Sequence, residues 1–234
     1  MFGRKNVPVQ RKAILMSKDI EVKREKEDKS CIIPNVMRRK VVALVGTHNG
    51  SGCTHLTLAL AYKLSYKYNV ALVELDKKGD LKGFDMVYEL KPGRLGSKKL
   101  GKLDLYYYEQ NNLIDVLKEG YDYIFLDIGK GIYTNEIGQL KACEFLNEAY
   151  RADIKCLVTQ TKEWQQKYLA DFIKYDGTMN DWIILANMST KDEVRELRAS
   201  IKGLTSQVER VPHLENVFDV TGKEFEELVS ILSV

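Results

Sequence analysis

The chain has 234 residues, 44% of them hydrophobic, which is enough apolar surface for one full core and within the range where α/β domains stay single. Lys and Arg number 36 against 33 Asp and Glu, a net charge of +3; residues 1–40 hold twelve of the cations and five of the acids, leaving 24 against 28, or −4, for the rest. The basicity therefore belongs to the N-terminal segment, which weighs against nucleic acid as the partner of the folded body.

In chain order, residues 1–37 read as a charged, flexible arm: Lys23-Arg24-Glu25-Lys26-Glu27-Asp28-Lys29 and Pro34 interrupt any sustained periodicity. A single folded domain is expected over 38–234. Its first element is the apolar run Val41 to Val45, followed by a glycine loop and a helix carrying Leu56, Leu58, Ala59, Leu60, Ala61 and Leu64. Val70 to Val73 is a second short apolar run. The glycines and lysines between Lys77 and Leu103 support no assignment, and Leu103 to Glu109, with Tyr106-Tyr107-Tyr108, suits a strand with one face packed. Asn111-Asn112 caps a short helix over Leu113 to Leu117 that Gly120 ends.

Further apolar runs follow at Tyr123 to Leu126, Ile154 to Val158 and Trp182 to Ala186. Helices separate or follow them: Glu163 to Lys174, with Trp164, Tyr168, Leu169, Phe172 and Ile173 inward, then Glu193 to Ile201 and Glu224 to Leu232. Short apolar strands alternating with helices predict a three-layer α/β fold around a mostly parallel sheet. No apolar run approaches the roughly 18 residues of a membrane span, so any membrane association would be peripheral or through a partner. The cysteines at 31, 53, 143 and 156 lack C-x-x-C spacing and follow no apolar leader, which predicts a cytoplasmic protein; Cys143 and Cys156 read as small core residues.

The chemistry concentrates after the first strand, in His48-Asn49-Gly50-Ser51-Gly52-Cys53-Thr54-His55. A P-loop, G-x-x-x-x-G-K-[ST], uses glycines to close backbone N–H groups around phosphate, lysine to neutralise charge and a hydroxyl to hold Mg²⁺. Here the glycines and the hydroxyl of Thr54 are present and Cys53 stands where the lysine belongs. Cys53 reads as a small neutral replacement, since neither His48 nor His55 has an orienting acid with which to activate a thiol nucleophile. Two strands then deliver carboxylates to their C-terminal ends, where open α/β sheets bind ligands: Glu74 and Asp76 after Val70-Ala71-Leu72-Val73, and Asp127 after Tyr123-Ile124-Phe125-Leu126. Glu74 reads equally as a site acid or the solvent end of its strand. Asn187, ending Trp182-Ile183-Ile184-Leu185-Ala186, suits a purine edge or the cap of the next helix.

With these motifs in order, residues 38–234 resemble the ParA/MinD group of deviant-Walker P-loop ATPases, and within it the degenerate TadZ/CpaE-like branch, whose members place secretion or pilus machinery at a cell site. Val-Pro-His-Leu-Glu-Asn-Val at 211–217 resembles that group's late loop beside the base, which adds Pro212 to Asn187 as base-binding candidates. The group's loop is K-G-G-x-G-K-[ST]; His48 takes the place of its early lysine and Cys53 that of its later one. The resemblance further implies ATP or ADP with Mg²⁺, a Mg²⁺ set of Thr54, Asp76 and Asp127, water positioning by Asp76, and a homodimer facing across nucleotide.

Losing a phosphate-contacting lysine removes about 1.5–3 kcal/mol, up to roughly a hundredfold in affinity. Binding can survive that, whereas phosphoryl transfer depends on fixed positive charge at the transition state. His48, with a reference pKa of about 6.5, is expected to be mostly neutral and to offer one hydrogen bond. The reading is a nucleotide-binding protein that positions or scaffolds a larger assembly, of pilus, secretion or transfer machinery, with weak or absent ATP hydrolysis. The alternatives are an active ParA-like ATPase in DNA segregation and an interaction scaffold with an empty nucleotide site.

Overall fold

A computed structural model describes residues 39–108, 113–201, 207–214, 216–218 and 220–232. The expected arm and the Asn111-Asn112 cap lie outside these residues. The elements run β1 (Lys40–Gly46), α1 (Cys53–Ser65), β2 (Val70–Glu74), α2 (Phe84–Val87), β3 (Lys91–Pro92), β4 (Lys98–Leu100), β5 (Leu103–Tyr106) and α3 (Leu113–Lys118). They continue with β6 (Tyr123–Lys130), β7 (Ile132–Thr134), β8 (Leu140–Ala142), α4 (Leu146–Arg151), β9 (Ile154–Thr159), α5 (Glu163–Asp176), β10 (Trp182–Ala186), α6 (Lys191–Ser200), β11 (Gln207–Arg210) and α7 (Lys223–Leu232).

Among the described residues nine strands form one sheet in the order β11-β10-β9-β1-β6-β2-β5-β4-β3, parallel from β11 to β5 and antiparallel at β5-β4-β3. The five apolar runs become five adjacent strands, β10-β9-β1-β6-β2, at the centre of this sheet. Side chains alternate between faces along a strand, and β1 shows both destinations. Val42 and Leu44 pack with Leu58 and Leu60 of α1 and Phe225 and Leu228 of α7, while Ala43 and Val45 pack with Leu146 of α4, Leu169 and Phe172 of α5 and Val194 of α6. Helices on both faces explain why these strands are apolar throughout. Among the described residues no helix is long and apolar enough to cross a membrane.

Three local expectations change. The unassigned stretch between Lys77 and Leu103 contains the antiparallel sheet edge, whose strands β3 and β4 carry Lys91, Lys98 and Lys99. Charged, short strands are how sheets blunt an open edge, so apolar periodicity is missing there. Strand β5 is buried on both faces, because Asp104 accepts from Ser97 Oγ and Tyr121 Oη, each at 3.0 Å, and is covered rather than solvated. In α5, Trp164 is exposed at 64% and Gln165 takes the inward position. A polar residue points inward there because this end of the helix lies over the glycine loop.

Candidate functional site

The glycine loop leaves β1 at the C-terminal edge of the sheet and enters α1 at Cys53. Gly50 and Gly52 have φ of +81° and +86°, a left-handed backbone that favours glycine. Gly52 also admits a close neighbour: a Cβ on it would lie 2.1 Å from Asn187 Nδ2. That amide donates to Ser51 O at 2.8 Å, while Asn187 Oδ1 accepts from Met188 N at 3.0 Å. Asn187 thus braces the loop from the end of β10; the cap of α6 is Thr190, which forms a reciprocal capping box with Glu193. No side chain caps the N-terminus of α1, and its first turn holds no acid. Its leading N–H groups therefore remain open to an anion.

Residues His48 through His55, with Asp76, Lys78, Asp80, Gly129 and Lys130, line a cavity of about 240 Å³ above this helix end. Asp127 sits beneath it, fully buried. Cys53 Sγ donates to Asp127 Oδ1 at 3.4 Å and Gly129 N donates to the same oxygen at 3.3 Å, whereas among the described residues no group lies at hydrogen-bond distance and angle from Oδ2. Burial pushes the Asp127 carboxyl up to about 6, against the nearby Thr54 hydroxyl, the Cys53 thiol and the Gly129 amide, which favour its charged form. Burial, reinforced by Asp127, likewise holds the Cys53 thiol well above its ordinary range. Cys53 is a neutral donor in this structure, without the features of a thiolate nucleophile.

Glu74 lies opposite Asp127 in the β2–β6 register and is buried, which removes the solvent-end reading. Its Oε1 accepts from Leu81 N at 2.7 Å and its Oε2 from Tyr108 N at 3.4 Å, and burial raises its pKa to about 7. Asp76 lies half-buried beside Gly129, and Lys78 N donates to its Oδ1 at 3.1 Å.

His48 is almost fully buried and both its ring nitrogens are engaged. Gln165 Nε2 lies 3.2 Å from His48 Nε2, which makes that nitrogen the acceptor and assigns the proton to Nδ1, 3.0 Å from Thr47 Oγ1. Its ring stacks on Tyr168 at 5.0 Å, and burial and then Lys130 hold its pKa below the ordinary value. The ring is a neutral packing element beneath the loop. Pro212 is half-buried in the segment after β11, where Val211 N donates to Ala186 O at 3.0 Å. His213 depresses the pKa of His55, after burial, so this segment flanks the first turn of α1. Lys78, Lys130, Gln165 and Gln160, whose Nε2 donates to Gly50 O at 2.9 Å, belong to no motif visible in the sequence. Two of these had a local signal: Lys78 stands two residues after Asp76, and Lys130 three after Asp127.

No protein-family model and no curated protein sequence matches the chain. Solved structures do. A candidate plasmid partition protein of Borrelia burgdorferi B31 bound to AMPPNP superposes with a TM-score of 0.59 at 13% identity, covering 84% of this chain and all, 100%, of that one. A ParA-family ATPase of Chlorobium tepidum TLS gives 0.56 at 16% identity over 83% of this chain and 98% of its own. The MinD cell division protein of Aquifex aeolicus gives 0.56 at 14% identity, over 83% and 98%. The chain thus has the α/β fold of the ParA/MinD P-loop ATPases.

Proposed function

We propose that this protein binds ATP or ADP with Mg²⁺ at the loop of residues 48–55 and uses nucleotide state to position or scaffold a larger assembly, with weak or absent hydrolysis. The observation that carries the reading is Asp127 Oδ2, a buried carboxylate oxygen without a hydrogen-bond partner among the described residues, beneath an uncapped, glycine-lined helix N-terminus. Orphaned buried acceptors are costly and rare. Mg²⁺ fits the oxygens gathered here: it takes hard oxygen ligands, keeps several waters and is commonly held through one or two carboxylates plus substrate phosphate. Thr54, Asp127 and Asp76 would hold it, and it would neutralise phosphate charge. The loop N–H groups would orient the phosphates, with Asn187 fixing the loop and the 211–214 segment flanking the base.

Weak hydrolysis follows from the chemistry at positions 48 and 53. Neither His48 nor Cys53 carries a fixed charge, and preorganised charge is the larger part of phosphoryl-transfer catalysis. A homodimer facing across nucleotide, protein partners of pilus, secretion or transfer type, peripheral membrane association through those partners and a cytoplasmic site complete the proposal. The homodimer rests on the sequence resemblance to the ParA/MinD group, the assembly type on the resemblance to its TadZ/CpaE-like branch, and the cytoplasmic site on the cysteine pattern. The test is titration of labelled ATP and ADP with Mg²⁺ into wild type and Cys53→Lys, recording affinity, turnover and mass. Wild type is expected to bind both nucleotides, to turn over slowly, and to gain up to roughly a hundredfold in affinity with the lysine restored. Absence of binding in both forms refutes the nucleotide reading. Wild-type turnover matching lysine-bearing relatives refutes the degenerate one.

A further inference from the structure

Two lysine positions are lost from the loop, and two lysines from elsewhere line the same cavity. Lys78 arrives from the turn after β2, and Lys130 is the last residue of β6. Lys78 Nζ donates to Asn49 Oδ1 at 2.7 Å, so its ammonium lies against the loop itself. Lys130 Nζ lies 6.0 Å from the centroid of Tyr168, the ring that stacks on His48. Among the described residues neither ammonium pairs with a carboxylate, whereas the adjacent Lys77 is bound to Glu144 at 2.6 Å. The larger groove between α6, β11 and α7 shows the ordinary alternative: its Lys191, Arg198 and Arg210 are paired with Glu224 or Glu209.

Resting on the nucleotide reading above, we infer that Lys78 and Lys130 supply the phosphate-neutralising charge that positions 48 and 53 have lost, gripping a polyphosphate from the ends of β2 and β6. The chemistry suits lysine, a point charge on a flexible stem that needs no bidentate geometry. It also divides the cavity. Asp76 and Asp127 would serve the metal, and the two ammonium groups, which pair neither with Asp76 nor with Asp80 on the same lining, would be left for phosphate oxygens. Neither lysine is committed elsewhere: an amide oxygen and an aromatic face are weaker partners than a phosphate. Charge supplied from these flanks can hold the bound state without standing where a loop lysine meets the transferring phosphoryl group, which reconciles binding with slow turnover.

The experiment uses the full chain and MgATP and MgADP as probes, comparing wild type with Lys78→Gln, Lys130→Gln, the double variant, Lys130→Arg and the control Lys77→Gln. Each single substitution is expected to weaken ATP binding by about ten- to a hundredfold. The double variant should be weaker still, Lys130→Arg should retain most of the affinity, and Lys77→Gln should change little. Melting of the nucleotide-free variants reads folding separately from binding. If wild type binds and the Lys78 and Lys130 variants bind equally well, this inference falls and the nucleotide site stands. If Lys77→Gln loses as much as they do, the effect is general surface charge and the inference also falls. If wild type binds neither probe, the nucleotide reading falls and takes this one with it.

Discussion

Replacing Gly129 by alanine tests whether the ends of β2 and β6 converge as described. Gly129 has φ of +67°, and a Cβ there would lie 2.0 Å from Asp76 Oδ2, 2.5 Å from its Cγ and 2.8 Å from its Cβ. Rotating Asp76 can move the first two atoms away only by giving up the bond that its Oδ1 accepts from Lys78 N. It cannot move the third, so the backbone of one strand end must shift. The left-handed conformation costs an alanine about 1–2 kcal/mol, and overpacking adds roughly 1–3 kcal/mol. A total of about 3 kcal/mol corresponds to a melting point lower by about 6–12 °C for a domain of this size. Asp76→Ala removes the two nearest atoms. In the double variant Asp76→Ala/Gly129→Ala the backbone strain and the 2.8 Å contact remain, and about 1 kcal/mol or more of the single-variant cost should be recovered. Thermal melts of the four proteins by circular dichroism complete the cycle. A Gly129→Ala melting point within 2 °C of wild type, or strictly additive losses, would show that Asp76 does not approach Gly129 as the geometry requires.

Asn187→Ala removes the 2.8 Å bond to Ser51 O and should cost about 1–3 kcal/mol, read as a lower melting point; an unchanged melting point refutes its role in bracing the loop. Glu74 has a folded-state pKa raised from 4.5 to about 7, chiefly by burial, so its contribution is full below pH 4.5 and is lost as pH rises through about 7. The stability of wild type relative to Glu74→Gln should therefore decline between about pH 5 and pH 8 in parallel melts, and a pH-independent difference refutes the shift. Cys53, buried with a raised pKa, should resist iodoacetamide at pH 8 in the folded protein and react after denaturation. Rapid native alkylation mapped to Cys53 by mass spectrometry would refute the neutral-donor assignment.

What the sequence disclosed follows from where the physics is local. Val41 to Val45 and Tyr123 to Leu126 are apolar at successive positions, and that pattern is produced by helices on both sheet faces, so strand, layer and parallel pairing are readable together. That the loop, Thr54, Asp76 and Asp127 share one sheet edge could be read ahead of the fold because glycines after one apolar run and carboxylates after two others put them all at C-terminal strand ends. The edge strands β3 and β4 were hidden because solubility at an open edge calls for lysines, which also mark loops. Gln165 was hidden for a different reason: its neighbour Trp164 is the more apolar residue, and only the loop packed beneath α5 makes a hydrogen-bonding side chain the better inward choice. Lys130 was passed over because a lysine after a strand is ordinary until the fold brings it to the cavity that the loop has left without charge.

Position 53 changes more than the phosphate contact. A lysine there would carry a cation close to Asp127, since the side chain at 53 already reaches Asp127 Oδ1. With cysteine, burial and, after it, the charge of Asp76 raise the pKa of that carboxyl to about 6 against only neutral groups, the Thr54 hydroxyl, the Cys53 thiol and the Gly129 amide. The buried acid thus carries an unmet demand for positive charge that a loop lysine would partly have met. On the proposed reading, Mg²⁺ arriving with nucleotide meets it, and binding at a hundred times the dissociation constant adds about 2.7 kcal/mol to the folded state. Trading lysine for cysteine then weakens turnover and makes the fold's stability more dependent on whether nucleotide is bound. That dependence suits a protein whose output is a conformational or assembly state more than one whose output is hydrolysed ATP.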